Sequence, residues 1–230
     1  MKQTKQKMNK ALIIFDLDQT LIQVFDYHEK ALEQTTKKFF GFKCKFWEID
    51  FPGKSFKAIF IELAKKHKIK VTSKQVSEAT KFQEKTFVKV LPKNLKKDVL
   101  PGVVSLLTKL SKKYTVALVT GSSPKMINAM LTRSGLKIYF HLIIDGVQAI
   151  DKEHMIKLAK MKARNYGTVV MLGDSVRDIE GGKANKTKTI GLLTGYHSRK
   201  KLMKHKPDYI AKNLKDTNVL KLINKWCKNV

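Results

Sequence analysis

Acidic and hydroxyl side chains follow closely behind three short apolar segments of this 230-residue chain. In chain order they are Asp16, Asp18, Thr120, Asp174 and Asp178. Carboxylates gathered in one cleft repel one another and need protons or a cation to neutralise them. Ligation by oxygen atoms alone, with room left for water, suits Mg²⁺ better than zinc or copper. The residues therefore predict a Mg²⁺ site if the fold brings the three segments together.

The spacing of Asp16 and Asp18 suits chemistry at phosphorus. A carboxylate that is free to act as a nucleophile could attack phosphorus and form an aspartyl-phosphate. A second carboxylate two residues farther on could protonate the leaving oxygen and later activate water. Thr120, which precedes a turn to Pro124, offers a hydroxyl and the amides of a helix N-terminus to phosphate oxygens. These residue types together suit phosphoryl transfer.

Asp174 and Asp178 are four residues apart. If Ser175 begins a helix, one turn separates the two acids, so both can face the same metal ion. Each segment taken alone also fits a strand-ending turn or a helix cap. Their occurrence together, at the ends of successive predicted strands, favours a shared site.

Five apolar segments rich in β-branched residues predict buried parallel strands. They are Ala11–Phe15, Thr115–Val119, His141–Ile144, Thr168–Leu172 and Thr189–Leu193. Helical patterns lie between them, after Pro101, from Pro124 to Gly135 and from Asp151 onward. This alternation predicts an α/β fold with a Rossmann-like, doubly wound parallel sheet, in which ligands bind beyond the carboxyl ends of the strands.

The segment from residue 23 to residue 98 differs from the rest because it is lysine-rich and lacks convincing buried strands. Its apolar pattern predicts helices over Tyr27–Phe40, Phe56–His67 and Ser73–Val88. It interrupts the chain between the first and second predicted strands. We therefore expect two domains, a catalytic core of residues 8–22 plus 99–230 and an inserted helical cap of residues 23–98.

The formal net charge is +28, and only four of the 47 basic residues are arginine. Proteins that read base edges or grip phosphates bidentately rely on arginine. A surplus of lysine creates a positive field that attracts anionic substrates. We expect weak, salt-sensitive binding of nucleic acid at most, with no sequence-specific recognition. The segments Arg199–Lys201 and Lys204–Lys206 are interpreted as a solvated loop surface.

The remaining sequence features exclude several classes of protein. No apolar run has the roughly 18–20 residues that a membrane span needs. The basic start is followed by an apolar run of only Ala11–Phe15, which is too short for a signal peptide. The six histidines show no triad or metal spacing, and Cys44 and Cys227 are interpreted as inert residues of the cap and the tail. We expect a cytoplasmic protein.

The order of these motifs resembles the haloacid dehalogenase superfamily over essentially the whole chain. Asp16, Asp18 and Thr20 match its DxDxT motif. The resemblance implies that Asp16 is nucleophile and metal ligand, and that Asp18 is general acid and base, with its backbone carbonyl touching the metal. It further implies that Thr120 and Gly121 hold the transferring phosphoryl group. The other two implied metal-site acids are Asp174 and Asp178.

Two lysines are assigned by the same resemblance. Relatives carry a lysine that pairs with the nucleophile and the phosphoryl group, usually as Lys-Pro before a helix. This chain has no proline there, so Lys152 at a helix start is the best match and Lys157 is the alternative. Lys54 lies where some relatives have a substrate-contacting loop in the cap.

The resemblance implies a Mg²⁺-dependent phosphatase that acts on a small phosphorylated metabolite, as phosphoglycolate phosphatase-like members do. The presence of Asp18 argues against the dehalogenase branch, whose members lack this second acid. Two alternatives stay open. A phosphomutase acting on sugar phosphates would share every residue of the core site, and a basic nucleic-acid-binding protein could use the same fold.

Overall fold

The computed structural model describes residues 11–149, 151–164 and 166–228. The basic start, including residues 8–10 of the predicted core, lies outside these ranges. Six strands form one sheet, with the bounds β1 Ala11–Phe15, β2 Thr115–Val119, β3 Leu142–Ile144, β4 Thr168–Gly173, β5 Lys188–Leu192 and β6 Tyr209–Ala211. The α-helices are α1 Phe25–Phe40, α2 Phe56–Lys66, α3 Ser73–Val90, α4 Val103–Ser111, α5 Pro124–Ser134, α6 Lys152–Ala163, α7 Val176–Ala184, α8 Arg199–Lys204 and α9 Thr217–Lys228.

The sheet is parallel throughout and has the strand order β3-β2-β1-β4-β5-β6. Helices cover both of its faces, so the central strands are buried on both sides and read as continuous apolar runs. All five residues of β1 are fully buried. The chain winds outward from β1 to β3 and then returns to β4 on the other side of β1. The carboxyl ends of β1 and β4 therefore flank the point where the strand order reverses, which is where such folds bind ligands.

The predicted doubly wound α/β fold is confirmed. The five predicted strands are present, with small shifts at their ends: β3 begins at Leu142, β4 continues to Gly173, and β5 spans Lys188–Leu192. Two caps also agree with the sequence. Pro124 stands in the first turn of α5, and Gly135 ends this helix in the left-handed conformation (φ +75°) that glycine adopts most easily.

Three helices, α1 to α3, occupy the segment between β1 and β2, as the sequence predicts. Thr72 caps α3 through a reciprocal pair of hydrogen bonds with Gln75. The three helices enclose an apolar cluster that includes Leu32, Phe60 and Leu63. Phe87 of α3 packs instead into the main cluster beneath the sheet. The division of the chain after residues 22 and 98 stays a prediction.

Two parts of the C-terminal region correct the sequence interpretation. Arg199–Lys204 is the helix α8 rather than a loop. Ser198 caps its start, and the helix buries its own Leu202 side chain. The tail that contains Cys227 is the helix α9, which was not predicted, and Cys227 is buried in it. Among the helices in the described ranges, none combines the length and the apolar character required to cross a bilayer.

Candidate active site

Asp16 and Asp174 come together because β1 and β4 are parallel neighbours in register. Phe15 pairs with Leu172, and the amide of Asp16 donates to the Leu172 carbonyl at 2.9 Å. The next residues of both strands therefore emerge at the same edge. Carboxylate oxygens of Asp16, Asp174 and Asp178 all lie within 4.8 Å of one another, and all three residues are buried. The three residues are named the carboxylate cluster below.

The helix α7 brings Asp178 back to this edge. Ser175 caps the helix, and its amide and hydroxyl donate to Asp178 Oδ2 at 3.0 and 2.7 Å. The predicted helix start at Ser175 is thus confirmed. A Cβ at Gly173 would overlap the Asp178 carboxylate, so glycine is what lets the strand end approach this side chain. Thr20 fixes the neighbouring acid by donating its hydroxyl to Asp174 Oδ1 at 2.9 Å.

Lys152 is the first residue of α6, where Asp151 caps the helix. Its ammonium lies 2.6 Å from Asp16 Oδ1 and 3.0 Å from Asp178 Oδ1, and it donates to the Val119 carbonyl at 3.1 Å. Lys157, the alternative suggested by the sequence, is exposed one turn farther along the same helix. The geometry therefore favours Lys152 as the lysine that meets the acids.

The carboxylate cluster is short of positive charge. Burial raises the pKa of Asp16 to about 7, with Asp178 and Asp18 adding to the effect of burial and Lys152 opposing it. Burial, together with Asp16 and Asp178, also holds the pKa of Asp174 well above its usual range. One ammonium thus faces three acids. A hard divalent cation ligated by oxygen supplies the missing charge, so the donor set fits Mg²⁺.

Asp18 has a different environment from its neighbour Asp16. Its carboxylate turns toward His28, whose Nε2 lies 3.1 Å from Oδ1, and toward Ser122, whose hydroxyl donates to Oδ2 at 3.0 Å. Thr120 is farther away, with its hydroxyl 3.5 Å from the same Oδ2. Burial raises the pKa of Asp18, but His28 and Ser122 outweigh burial, so the net pKa falls below its usual range.

His28 and Ser122 are site residues that the sequence interpretation missed. His28 is on the second turn of α1, and its ring stacks on Phe87 with the centroids 4.1 Å apart. Stacking and the contact with Asp18 hold the imidazole in place. The spacing of the histidines along the chain gives no sign of this role. Ser122 lies in the turn between Thr120 and Pro124, directly after Thr120 and Gly121, the two residues of this turn that were predicted.

One cleft contains all of the remaining predicted residues. Thr120, Gly121 and Lys54 line it together with Lys152 and three of the acids, Asp16, Asp18 and Asp174. Lys54 approaches from the helical insertion, where its ammonium lies 2.5 and 2.6 Å from the two carboxylate oxygens of Glu62. The facing wall also carries aromatic side chains that the sequence analysis did not assign to the site, namely Phe25, Phe46, Phe51, Phe56 and Tyr196.

Curated proteins with similar sequences include phosphatases. A phosphoglycolate phosphatase of Synechococcus elongatus is 25% identical over 120 residues, which is 51% of this chain and 57% of that protein. The alignment thus spans little more than half of that relative. A probable phosphatase, IndB, of Dickeya dadantii is 26% identical over 213 residues, covering 88% of this chain and 89% of that protein.

Solved structures share the fold at lower identity. A β-phosphoglucomutase of Clostridium difficile superimposes with a TM-score of 0.81 and 18% identity, covering 96% of this chain and 99% of that one. Residues 13–192 match the family described as haloacid dehalogenase-like hydrolase. This match spans β1 to β5 and every residue of the carboxylate cluster. The chain therefore belongs to the haloacid dehalogenase-like hydrolases.

Proposed function

We propose that the protein is a Mg²⁺-dependent phosphatase that hydrolyses a small phosphate monoester through an aspartyl-phosphate. The observation that carries this proposal is the contrast between two acids in one cleft. Asp16 lies in the carboxylate cluster beside Lys152, whereas Asp18, two residues on, faces His28. Acids that lie close together in different environments can take different roles in one reaction.

In the first step, an oxygen of Asp16 attacks phosphorus and the bond from phosphorus to the leaving oxygen breaks. Asp18, whose Oδ1 lies 3.1 Å from His28 Nε2, passes a proton to the leaving oxygen. In the second step, Asp18 takes a proton from water, and the water oxygen attacks the phosphorus of the aspartyl-phosphate. Free phosphate leaves and Asp16 is regenerated.

Three groups stabilise the phosphoryl oxygens during transfer. The Thr120 hydroxyl and the Gly121 amide bind them from the loop after β2, and the Lys152 ammonium offsets charge beside Asp16. Mg²⁺ would be held by Asp16, Asp174, Asp178 and the backbone carbonyl of Asp18. When bound, it would neutralise developing negative charge on the phosphoryl oxygens. Lys54, paired with Glu62, would border the substrate from the insertion.

The partner is then a small phosphorylated metabolite. Weak nucleic-acid binding that disappears with added salt and a cytoplasmic location stay predictions from the sequence. The sugar-phosphate mutase alternative uses the same first step and differs in whether water or a second sugar hydroxyl accepts the phosphoryl group. Product identity therefore separates a mutase from a phosphatase.

The test is a panel of phosphorylated metabolites incubated with the full chain and Mg²⁺, read by release of free phosphate. We expect release from at least one ester, its loss in a chelator, and its recovery when Mg²⁺ is restored. The matched control is Asp145→Asn, which changes an acid on the loop after β3. Activity that persists in the chelator would refute the metal-dependent mechanism, and an isomerised sugar phosphate without free phosphate would identify a mutase.

A further inference from the structure

The wall of the cleft that faces the carboxylate cluster is aromatic. The rings of Phe25 and Phe51 have their centroids 5.7 Å apart, and Phe46 lies 4.7 Å from Phe51. Tyr196, on the loop after β5, lies 5.5 Å from Phe25 and 5.0 Å from Phe51. Phe56, 6.3 Å from Phe46, extends the group. These five residues are named the aromatic wall, and they come from both the insertion and the core.

The charges along the cleft complement this apolar surface. In the part of the chain that the structure describes, both lysines that line the cleft already face carboxylates. Lys152 meets Asp16 and Asp178, and Lys54 meets Glu62. A substrate with a second negative charge on its organic part would place that charge against rings and near acids. The cost of desolvating such a charge without a free partner is high.

The exposure of Tyr196 is a second observation that favours binding of an apolar group against the aromatic wall. The residue is 51% exposed, although its ring packs edge-on against Phe51. Aromatic rings gain from stacked or edge-to-face contact with another ring, beyond the gain from burial alone. A planar group held above the carboxylate cluster would cover the open side of this ring.

We propose that the substrate is a phosphate monoester whose organic part is an uncharged aromatic ring, bound against the aromatic wall. This inference rests on the proposed phosphatase activity and specifies its substrate class. The phosphoryl group lies at Asp16, and the ring lies among Phe25, Phe51 and Tyr196. An ester that carries a carboxylate, such as 2-phosphoglycolate, is a poor substrate because Glu62 already occupies Lys54.

Three esters with alkoxide leaving groups test this specificity: benzyl phosphate, ethyl phosphate and 2-phosphoglycolate. We expect kcat/KM for benzyl phosphate to exceed that for the other two by about ten- to a hundredfold, which is the range that burying a ring provides. Equal values for benzyl and ethyl phosphate, or a preference for 2-phosphoglycolate, would overturn the inference while leaving the phosphatase intact. No phosphate release from any of the three would overturn the proposed function as well.

Two variants locate the effect. Tyr196→Ala should raise KM for benzyl phosphate severalfold and by a larger factor than it raises KM for ethyl phosphate. Its matched control is Phe42→Ala, which removes a 38% exposed ring of the insertion that contacts His67 instead of the cleft. Glu62→Gln frees the Lys54 ammonium, so kcat/KM for 2-phosphoglycolate should rise relative to kcat/KM for benzyl phosphate. Unchanged ratios of kcat/KM in both Tyr196→Ala and Glu62→Gln would contradict the proposed position of the ring.

Discussion

Within residues 11–149, 151–164 and 166–228, two groups of side chains are compact enough to hold a metal ion, and they differ in their charge balance. The first is the carboxylate cluster of Asp16, Asp174 and Asp178 at the edge of the sheet. The second, in the helical insertion, consists of Cys44, Glu48 and His67, whose ligand atoms also lie within 4.8 Å of one another. We name it the insertion cluster. Distance alone does not separate the two clusters.

The insertion cluster is already neutralised by its own neighbours. Glu48 accepts from the Lys45 amide at 2.5 Å, and its other oxygen lies 2.5 Å from His67 Nε2. Burial raises the pKa of Glu48, but these two contacts outweigh burial and the net pKa is lowered. Burial and Glu48 raise the pKa of the Cys44 thiol to about 11, so the thiol keeps the proton that a metal would have to displace.

In the carboxylate cluster, the pKa values of the acids shift upward, whereas that of Glu48 shifts downward. Those of Asp16 and Asp174 are raised, because burial and mutual repulsion exceed what Lys152 can offset. The ammonium of Lys152 is shared there among three carboxylates, whereas the single carboxylate of Glu48 has two partners of its own. The comparison teaches that unmet charge, more than closeness of donor atoms, marks a cation site. Each prediction below treats the insertion cluster as the control for the carboxylate cluster.

The largest expected effect is the loss of turnover in Asp16→Asn. This change keeps the shape of the side chain but removes the attacking charge, so kcat should fall by about a thousandfold or more. Glu48→Gln, which alters the acid of the insertion cluster in the same way, should retain activity within about twofold. Both are measured by phosphate release, with circular dichroism to check folding. Near-normal turnover in Asp16→Asn would refute the assigned nucleophile.

The second effect is stabilisation by Mg²⁺. Because a ligand that binds only the folded state stabilises it, Mg²⁺ at a hundred times its Kd should add about 2.7 kcal/mol, or roughly 5–10 °C in Tm. Asp174→Asn should remove most of this shift. Cys44→Ala should leave it intact. Thermal unfolding in chelator and in Mg²⁺ measures all three proteins, and an equal Mg²⁺ shift in Asp174→Asn would contradict the site.

Sequence and structure agree best for features that can be recognised within one contiguous segment of the chain. The strands were predictable because each central strand is a continuous apolar run, and the acids were predictable because they directly follow two of those strands. The strand β6 was missed because Tyr209–Ala211 contains one β-branched residue, against two in the equally short β3. The helix α9 did have a signal, since Val219, Ile223 and Cys227 recur every four residues on its buried side.

The rest of the site depends on contacts between distant segments. The choice between Lys152 and Lys157 follows from which side of α6 faces the sheet, and the missing proline removed the usual marker. His28 meets Asp18 only because α1 begins soon after β1 and turns this residue back to the cleft. The aromatic wall combines residues from Phe25 to Tyr196, so periodicity along the chain does not reveal it.

The third prediction compares two pairs of histidine and carboxylate. His28 contacts Asp18 at 3.1 Å, and His67 contacts Glu48 at 2.5 Å. His28→Gln should lower kcat by about ten- to a hundredfold for ethyl phosphate, whose leaving oxygen needs a proton. The loss should be smaller for p-nitrophenyl phosphate, whose leaving group is stable without one. His67→Gln should change neither value, and equal losses on both esters in His28→Gln would indicate a purely structural role.

The smallest effect is a pH dependence of stability in the absence of metal. The pKa of Asp16 is about 7 when folded, against a reference value of 3.8. The folded chain therefore takes up a proton between pH 8 and pH 6 that the unfolded chain does not, so stability rises as the pH falls. In chelator, lowering the pH from 8 to 6 should raise the free energy of unfolding of the wild type by about 1 kcal/mol more than it raises that of Asp16→Asn.

The control is Glu48→Gln, whose free energy of unfolding should change with pH as that of the wild type does. The lowered pKa of Glu48 keeps this residue ionised in the folded and unfolded states throughout the range. Urea unfolding at the two pH values measures these differences. An equal pH dependence of stability in Asp16→Asn and Glu48→Gln would show that the two clusters do not differ in charge balance.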